Sequence, residues 1–208
     1  MKTTKVINIG SGNIKSIVSA LEKNNTPYEI VENSEFLNDE NTSSIILPGV
    51  GSFPSFMKNL VSKNFDKKIK FLVLEKKIKI LGICVGFQAL FESSNEIEYT
   101  SGLSILKGNI KKISESKEIL LPHIGWNNCI FNNKNKSKIF NKIKDMSNFY
   151  FCHTYALHEA EETIFSSKTV YDNHFISSVS KDNIYGVQFH PEKSQTNGIL
   201  LMKNFLEI

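Results

Sequence analysis

The chain has 208 residues, 40% hydrophobic and 22% charged, the balance of a soluble globular fold with one sizeable core. Its net charge of +4 rests on lysine alone; with no arginine there are no guanidinium forks to read phosphates and bases, so no nucleic-acid partner is expected. No apolar run approaches the ~20 residues of a membrane span, no signal-peptide pattern opens the chain, and three widely spaced cysteines (Cys84, Cys129, Cys152) make neither a disulfide framework nor a zinc site, so a cytoplasmic chain with no membrane, metal or cofactor is expected.

Residues 5–9 (KVINI) read as a short buried strand ending at the turn Gly10-Ser11-Gly12-Asn13. Residues 14–23 carry Ile14, Ile17, Val18 and Leu21 at helical spacing. Strands are predicted at 28–31 and 43–47, the second stopped by Pro48-Gly49-Val50-Gly51. Helices follow at 54–61 and 65–76, a buried strand at 78–83 and a helix at 86–91. Apolar strands alternating with helices predict an α/β fold with a mostly parallel central sheet covered on both faces.

The second half reads differently. Residues 103–113, 119–130, 149–152, 163–171, 175–179 and 185–190 are strand-like with short turns, which predicts antiparallel strands added to the sheet. Residues 132–144 are rich in Asn and Lys and read as a loop with a short helical piece. A helix at 197–206 closes the chain. With no repeat and no linker, residues 1–208 are expected to form a single domain.

Gly82-Ile83-Cys84-Val85-Gly86 lies between a buried strand and a helix and has the G-x-C-x-G form of a nucleophile elbow. So tight a turn leaves no room for side chains two positions to either side of the cysteine. A helix start also directs free N–H groups at the sulfur, which favours a thiolate. A core cysteine in a glycine-containing turn has the same signature, and the pentapeptide alone leaves both readings open.

A thiol attacking an amide needs a base that takes up a proton and returns it to the leaving nitrogen. His190 is the candidate, where an alternating strand stops at Pro191. Residues two apart in an extended segment face the same way, so Glu192 could orient the imidazole, although it could also be a surface carboxylate. His123, His158 and His174 read as structural. Gly49, Val50 and Gly51 could bring backbone N–H groups to an oxyanion, although a plain turn has the same composition. Together the three segments have the composition of a thiol amidase.

GICVGFQ, HPEK and LPGVG resemble the corresponding segments of the class I (triad) glutamine amidotransferases. GSGNI, GLSILKGNI, LPHIGWN, YFCHTY and GVQFHPEKS extend the resemblance nearly end to end, most closely to the glutaminase subunits of imidazole glycerol phosphate synthase. The resemblance implies that fold and a Cys84–His190–Glu192 triad, with Gly49, Val50 and Gly51 as the oxyanion environment. It implies glutamine binding by Gln88, Glu96, Thr154 and Tyr155, with Glu96 suited to the α-ammonium group. It also implies a cyclase partner, a β/α barrel, met near Asn13, Trp126 and Lys193, although a lone tryptophan is more often core. Gly10-Ser11-Gly12 and Phe87 depart from the usual family residues without removing a required group. Two other readings stand beside it: an ammonia-supplying paralogue that serves amidation of a surface sugar, and a non-catalytic scaffold.

Overall fold

The computed structural model describes residues 2–113, 119–131, 136–161 and 165–208. The first half builds β1 (Thr3–Ile7), α1 (Ile14–Lys23), β2 (Tyr28–Val31), β3 (Thr42–Gly49), α2 (Phe53–Ser62), α3 (Phe65–Lys70), β4 (Lys79–Cys84) and α4 (Val85–Gln88). Ile45, Ile46, Leu47, Ile80 and Leu81 have no exposed surface, as expected of strands covered on both faces. On α1, Ile17, Ala20 and Leu21 form the buried stripe.

The second half adds β5 (Ser93–Ser94), β6 (Thr100–Ser101), β7 (Asn109–Lys112), β8 (His123–Phe131), β9 (Ser147–His153), β10 (Tyr155–Leu157), β11 (Phe165–Tyr171), β12 (Asn173–Lys181), β13 (Ile184–Val187) and α5 (Gln195–Glu207). The sheet runs β2-β1-β3-β4-β13-β12-β10-β7-β5-β6 among the described residues. Its pairs from β2 through β13 are parallel, and β12 turns the ladder antiparallel. β11 bridges β12 to β8, and β8 pairs with β9. The predicted mostly parallel sheet with antiparallel additions is the observed one. Among the described residues no helix is long and apolar enough to cross a membrane.

Several boundaries differ for identifiable reasons. The helix predicted over 86–91 stops at Gln88, and the strand predicted over 103–113 shrinks to β7. One interaction causes both changes: the N–H groups of Leu103, Ser104, Ile105 and Leu106 are spent on the carbonyls of Ala89, Phe91 and Leu90, which closes off the short helix. The helix predicted over 65–76 widens into a π turn at Phe71–Glu75, where Asn183 Nδ2 donates to the carbonyls of Val73 and Ile78. β3 extends through Pro48 and Gly49 because both keep partners on β4. A short 3-10 helix at Lys138–Phe140 lies in the predicted loop, of which residues 132–135 fall outside the described residues, as do Thr163 and Ile164 of the predicted strand over 163–171.

Candidate active site

β4 lies between β3 and β13, with Gly49 opposite Cys84 and Val187 opposite Ile83. The site forms at the carboxyl ends of these strands, where open α/β sheets bind ligands. Cys84 is 3% exposed and has φ +54° and ψ −110°. Such a conformation costs a non-glycine residue about 1–3 kcal/mol and persists only where its surroundings enforce it. Here they do. A Cβ on Gly86 would lie 1.8 Å from the Leu47 carbonyl oxygen, and one on Gly82 would lie 2.7 Å from the Gly86 oxygen. A Cβ on Gly49 would meet the Gly86 nitrogen and the Phe56 ring, each at 2.6 Å. The glycines of the turn are therefore steric requirements of the strand-to-helix junction.

His190 reaches the sulfur from β13, but not by strand alternation. β13 ends at Val187, and Pro191–Lys193 form a 3-10 turn that folds Glu192 back beneath the imidazole. His190 Nδ1 donates to Glu192 Oε1 at 2.8 Å, and the ring lines the same cleft as Cys84, whose sulfur acts on it electrostatically. The Glu192 side chain is 2% exposed, so it is no surface carboxylate. Glu192 Oε2 is buried and has no hydrogen-bond partner among the described residues. The backbone fixes the ring as well: His190 N–H donates to the Tyr150 carbonyl at 2.8 Å, and Ser194 Oγ donates to the His190 carbonyl at 2.6 Å. Burial alone would hold the imidazole neutral. The Cys84 sulfur and the Glu192 carboxylate outweigh it and raise the His190 pKa to about 10. At neutral pH the ring is an imidazolium, a proton donor in waiting.

A cleft of about 130 Å³ opens over Cys84. It is well below the ~300–1,000 Å³ typical of drug-sized ligands and matches something as small as an amino acid. Val50 and Gly51, Gln88 and Glu96, Thr154 and Tyr155, and His190 and Lys193 all line it. Gly49 stands behind the wall at the end of its strand, and Glu192 behind His190. Gln88 is buried, 2% exposed. Its Nε2 donates to the Tyr155 carbonyl at 2.7 Å and to Gln188 Oε1 at 3.0 Å. Glu96 accepts from the Phe53 N–H at the start of α2, at 2.8 Å.

Three residues here escaped the sequence reading. Gln188 is fully buried and donates to the Cys84 sulfur at 3.8 Å. The Cys152 carbonyl oxygen lies 3.9 Å from the same sulfur, and His153 lines the cleft beside it. The available signal was position: Gln188 lies two residues before His190, and the other two adjoin Thr154.

Asn13 and Trp126 do not line the cleft. Asn13 is half-buried at the start of α1, and Trp126 is 48% exposed on β8, so it is not a core tryptophan. Its ring meets Tyr150 edge-on at 6.1 Å, and Lys193 Nζ lies 5.5 Å from the centre of the Tyr150 ring. Trp126, Tyr150 and Lys193 thus follow one another in contact, and Lys193 also lines the cleft. His123 and His158 are hydrogen-bonded, while His174 is exposed on β12.

Known proteins match this chain over nearly its whole length. The family described as glutamine amidotransferase class-I matches residues 5–208. Imidazole glycerol phosphate synthase subunit HisH of Aquifex aeolicus is 41% identical over 202 residues, covering 97% of this chain and 95% of the relative. Imidazole glycerol phosphate synthase subunit HisH 1 of Parasynechococcus marenigrum is 40% identical over 209 residues, covering 99% and 98%. The structure of PurLQS from Thermotoga maritima superposes with a TM-score of 0.75 at 22% identity, covering 100% of this chain and 99% of that one, and shows the fold alone. The chain belongs to the class-I glutamine amidotransferases and, within them, to the HisH subunits of imidazole glycerol phosphate synthase.

Proposed function

We propose that this chain hydrolyses glutamine to glutamate and ammonia and passes the ammonia to a cyclase subunit, a β/α barrel. That partner would form imidazole glycerol phosphate and the aminoimidazole carboxamide ribonucleotide of histidine biosynthesis, in the cytoplasm. The observation that carries the reading is the hydrogen-bonded pair Glu192–His190 beside Cys84, with His190 and Cys84 lining one amino-acid-sized cleft.

The chemistry follows from the charges. The Cys84 thiolate attacks the side-chain carboxamide carbon, and the carbonyl oxygen takes up the negative charge. Backbone N–H groups around Gly49, Val50 and Gly51 receive that oxyanion, and Gly51, at φ +94°, gives the loop a conformation closed to most residues. The His190 imidazolium donates its Nε2 proton to the leaving nitrogen, the C–N bond breaks, and ammonia departs from a glutamyl thioester. The neutral imidazole then takes a proton from water, hydroxide attacks the thioester, and the thiolate leaves with glutamate formed. Glu192 keeps the ring oriented and stabilises its charge. Glu96 pairs with the α-ammonium group, while Gln88, Thr154 and Tyr155 shape the remaining wall. Asn13, Trp126 and Lys193 face the partner.

Glutaminase turnover measured with and without the cyclase subunit and its ligand tests the assignment. Turnover is expected to depend on the partner, and a thiol-alkylating glutamine analogue is expected to label Cys84. Absence of label in the complex would overturn the enzymatic reading, and full turnover by the chain alone would overturn the dependence on a partner.

A further inference from the structure

A line of polar groups leads away from the cleft wall at Tyr155, and the catalytic reading gives no role to its members His153, His123 and Asn127. His153 Nδ1 lies 3.0 Å from the Tyr155 carbonyl oxygen, which only accepts, so this nitrogen carries the proton and His153 Nε2 does not. His153 Nε2 faces His123 Nδ1 at 3.3 Å and must therefore receive from it. The far end demands the same polarity. Asn127 Nδ2 donates to the Val170 carbonyl at 2.9 Å while its Oδ1 accepts from the Asn128 N–H at 2.8 Å, which fixes the amide orientation. The remaining Nδ2 hydrogen points at His123 Nε2, 3.3 Å away, and leaves His123 protonated on Nδ1.

We propose that His123 and His153 are positioning residues: with Asn127 they form a one-way hydrogen-bond chain that fixes the Tyr155 carbonyl, and through it Gln88 and Gln188, against the Cys84 sulfur. The Tyr155 oxygen receives His153 on one lone pair and Gln88 Nε2 on the other. Gln88 then donates to Gln188, and Gln188 to the sulfur. The line joins β8, β9 and β10, so the wall that carries Thr154 and Tyr155 is held from the strand that also bears Trp126. Aromatic contacts keep the rings in plane: His123 stacks between Tyr171 at 4.0 Å and Phe151 at 5.0 Å. Burial keeps both rings neutral, with pKa values pulled down to about 4 for His123 and about 3 for His153. Neutrality is a condition of the chain, since a cation at either position would set donor against donor.

The proposal rests on the glutaminase reading for its kinetic consequence but not for its geometry, and two measurements separate them. Two-bond proton–nitrogen NMR on the full chain labelled with nitrogen-15 histidine at pH 7 reports each tautomer. Both rings are expected to be neutral and protonated on Nδ1; an Nε2–H or cationic ring at either position overturns the chain. In the complex with the cyclase subunit, His153→Leu is expected to raise the glutamine KM about tenfold, the loss expected when a hydrogen bond to a binding wall is removed. His153→Asn can still donate to the Tyr155 carbonyl and should stay within about threefold of wild type. Equal KM values for the two variants would overturn the positioning role. No wild-type turnover in the complex would sink the glutaminase reading, while the ring spectra would still decide the chain.

Discussion

Glu192 gives one carboxylate oxygen to His190 and leaves the other buried without a partner among the described residues, so its charge is concentrated on the imidazolium. The Cys84 sulfur raises the His190 pKa most and Glu192 adds to it, so Glu192→Gln should lower that pKa from about 10 by the carboxylate's share, measurable by NMR titration of the ring. A raised folded-state pKa stabilises the fold fully below the unfolded value near 6.5, and that stabilisation disappears as pH climbs to about 10. Wild type should therefore lose more stability than Glu192→Gln between pH 7 and 10, and parallel losses would contradict the pairing. Turnover should fall about 10²–10⁴-fold, the range of a compromised general acid–base. The elbow is equally local: Leu47, Gly49 and Gly86 meet too closely for any side chain on the glycines, which made the G-x-C-x-G segment legible from sequence. The His123–His153 line was not legible, because no spacing along one strand reports a bond between rings on neighbouring strands.

Helix α5 ends on Lys79, which stands at the start of β4 and donates at 2.9 Å to the carbonyls of Phe205, Leu206 and Ile208. One ammonium group satisfies three carbonyls at the negative end of the helix. Lys79→Met should cost about 1–2 kcal/mol and lower Tm by several degrees, read by thermal unfolding, with Cys84 labelling retained. An unchanged Tm would show that water serves these carbonyls as well. The same long-range satisfaction of backbone groups separates the elements that could be read from those that could not. Helical spacing located α1, and continuous apolar runs located β1, β3 and β4, which are buried on both faces. The same signals overextended β7 and α4 because the loop N–H groups at 103–106 had to find acceptors on Ala89, Leu90 and Phe91, a pairing that no local pattern records. His190 and Glu192 were correctly paired for an incomplete reason: the contact is made by a 3-10 turn after the strand has ended.

Two histidines held neutral inside the β8–β9 pair set an acid limit for the whole molecule. Their folded pKa values, about 4 and about 3, lie below the unfolded value near 6.5, so the unfolded chain binds more protons in acid. The stability they allow is complete above pH 6.5 and is lost as pH falls toward 4 and then 3. His190, itself cationic near His153, opposes protonation there, while Tyr171 and Asn127 bring no charge to the His123 ring. Urea unfolding at pH 7.5 and pH 5 should show wild type losing more stability than His123→Asn, and equal losses would contradict buried neutrality.

The face beside this pair carries the last prediction. Trp126 is half-exposed on the outer side of β8, edge-on to Tyr150, whose ring also receives Lys193 from the lining of the cleft. Trp126 is not part of the hydrophobic core, so truncating it should leave folding of the isolated chain nearly unchanged. A large aromatic side chain of this kind is a typical binding hot spot, worth about 2 kcal/mol or more when its partner covers it. Trp126→Ala should therefore weaken binding of the cyclase subunit about 30-fold by calorimetry, with Tm of the free chain within a degree or two of wild type. Loss of Tm without loss of affinity would return Trp126 to a structural role and move the partner's footprint off this face. Loss of affinity with Tm preserved would put the partner's footprint on the face that Trp126 shares with Tyr150 and Lys193, next to the cleft that Lys193 and Cys84 both line.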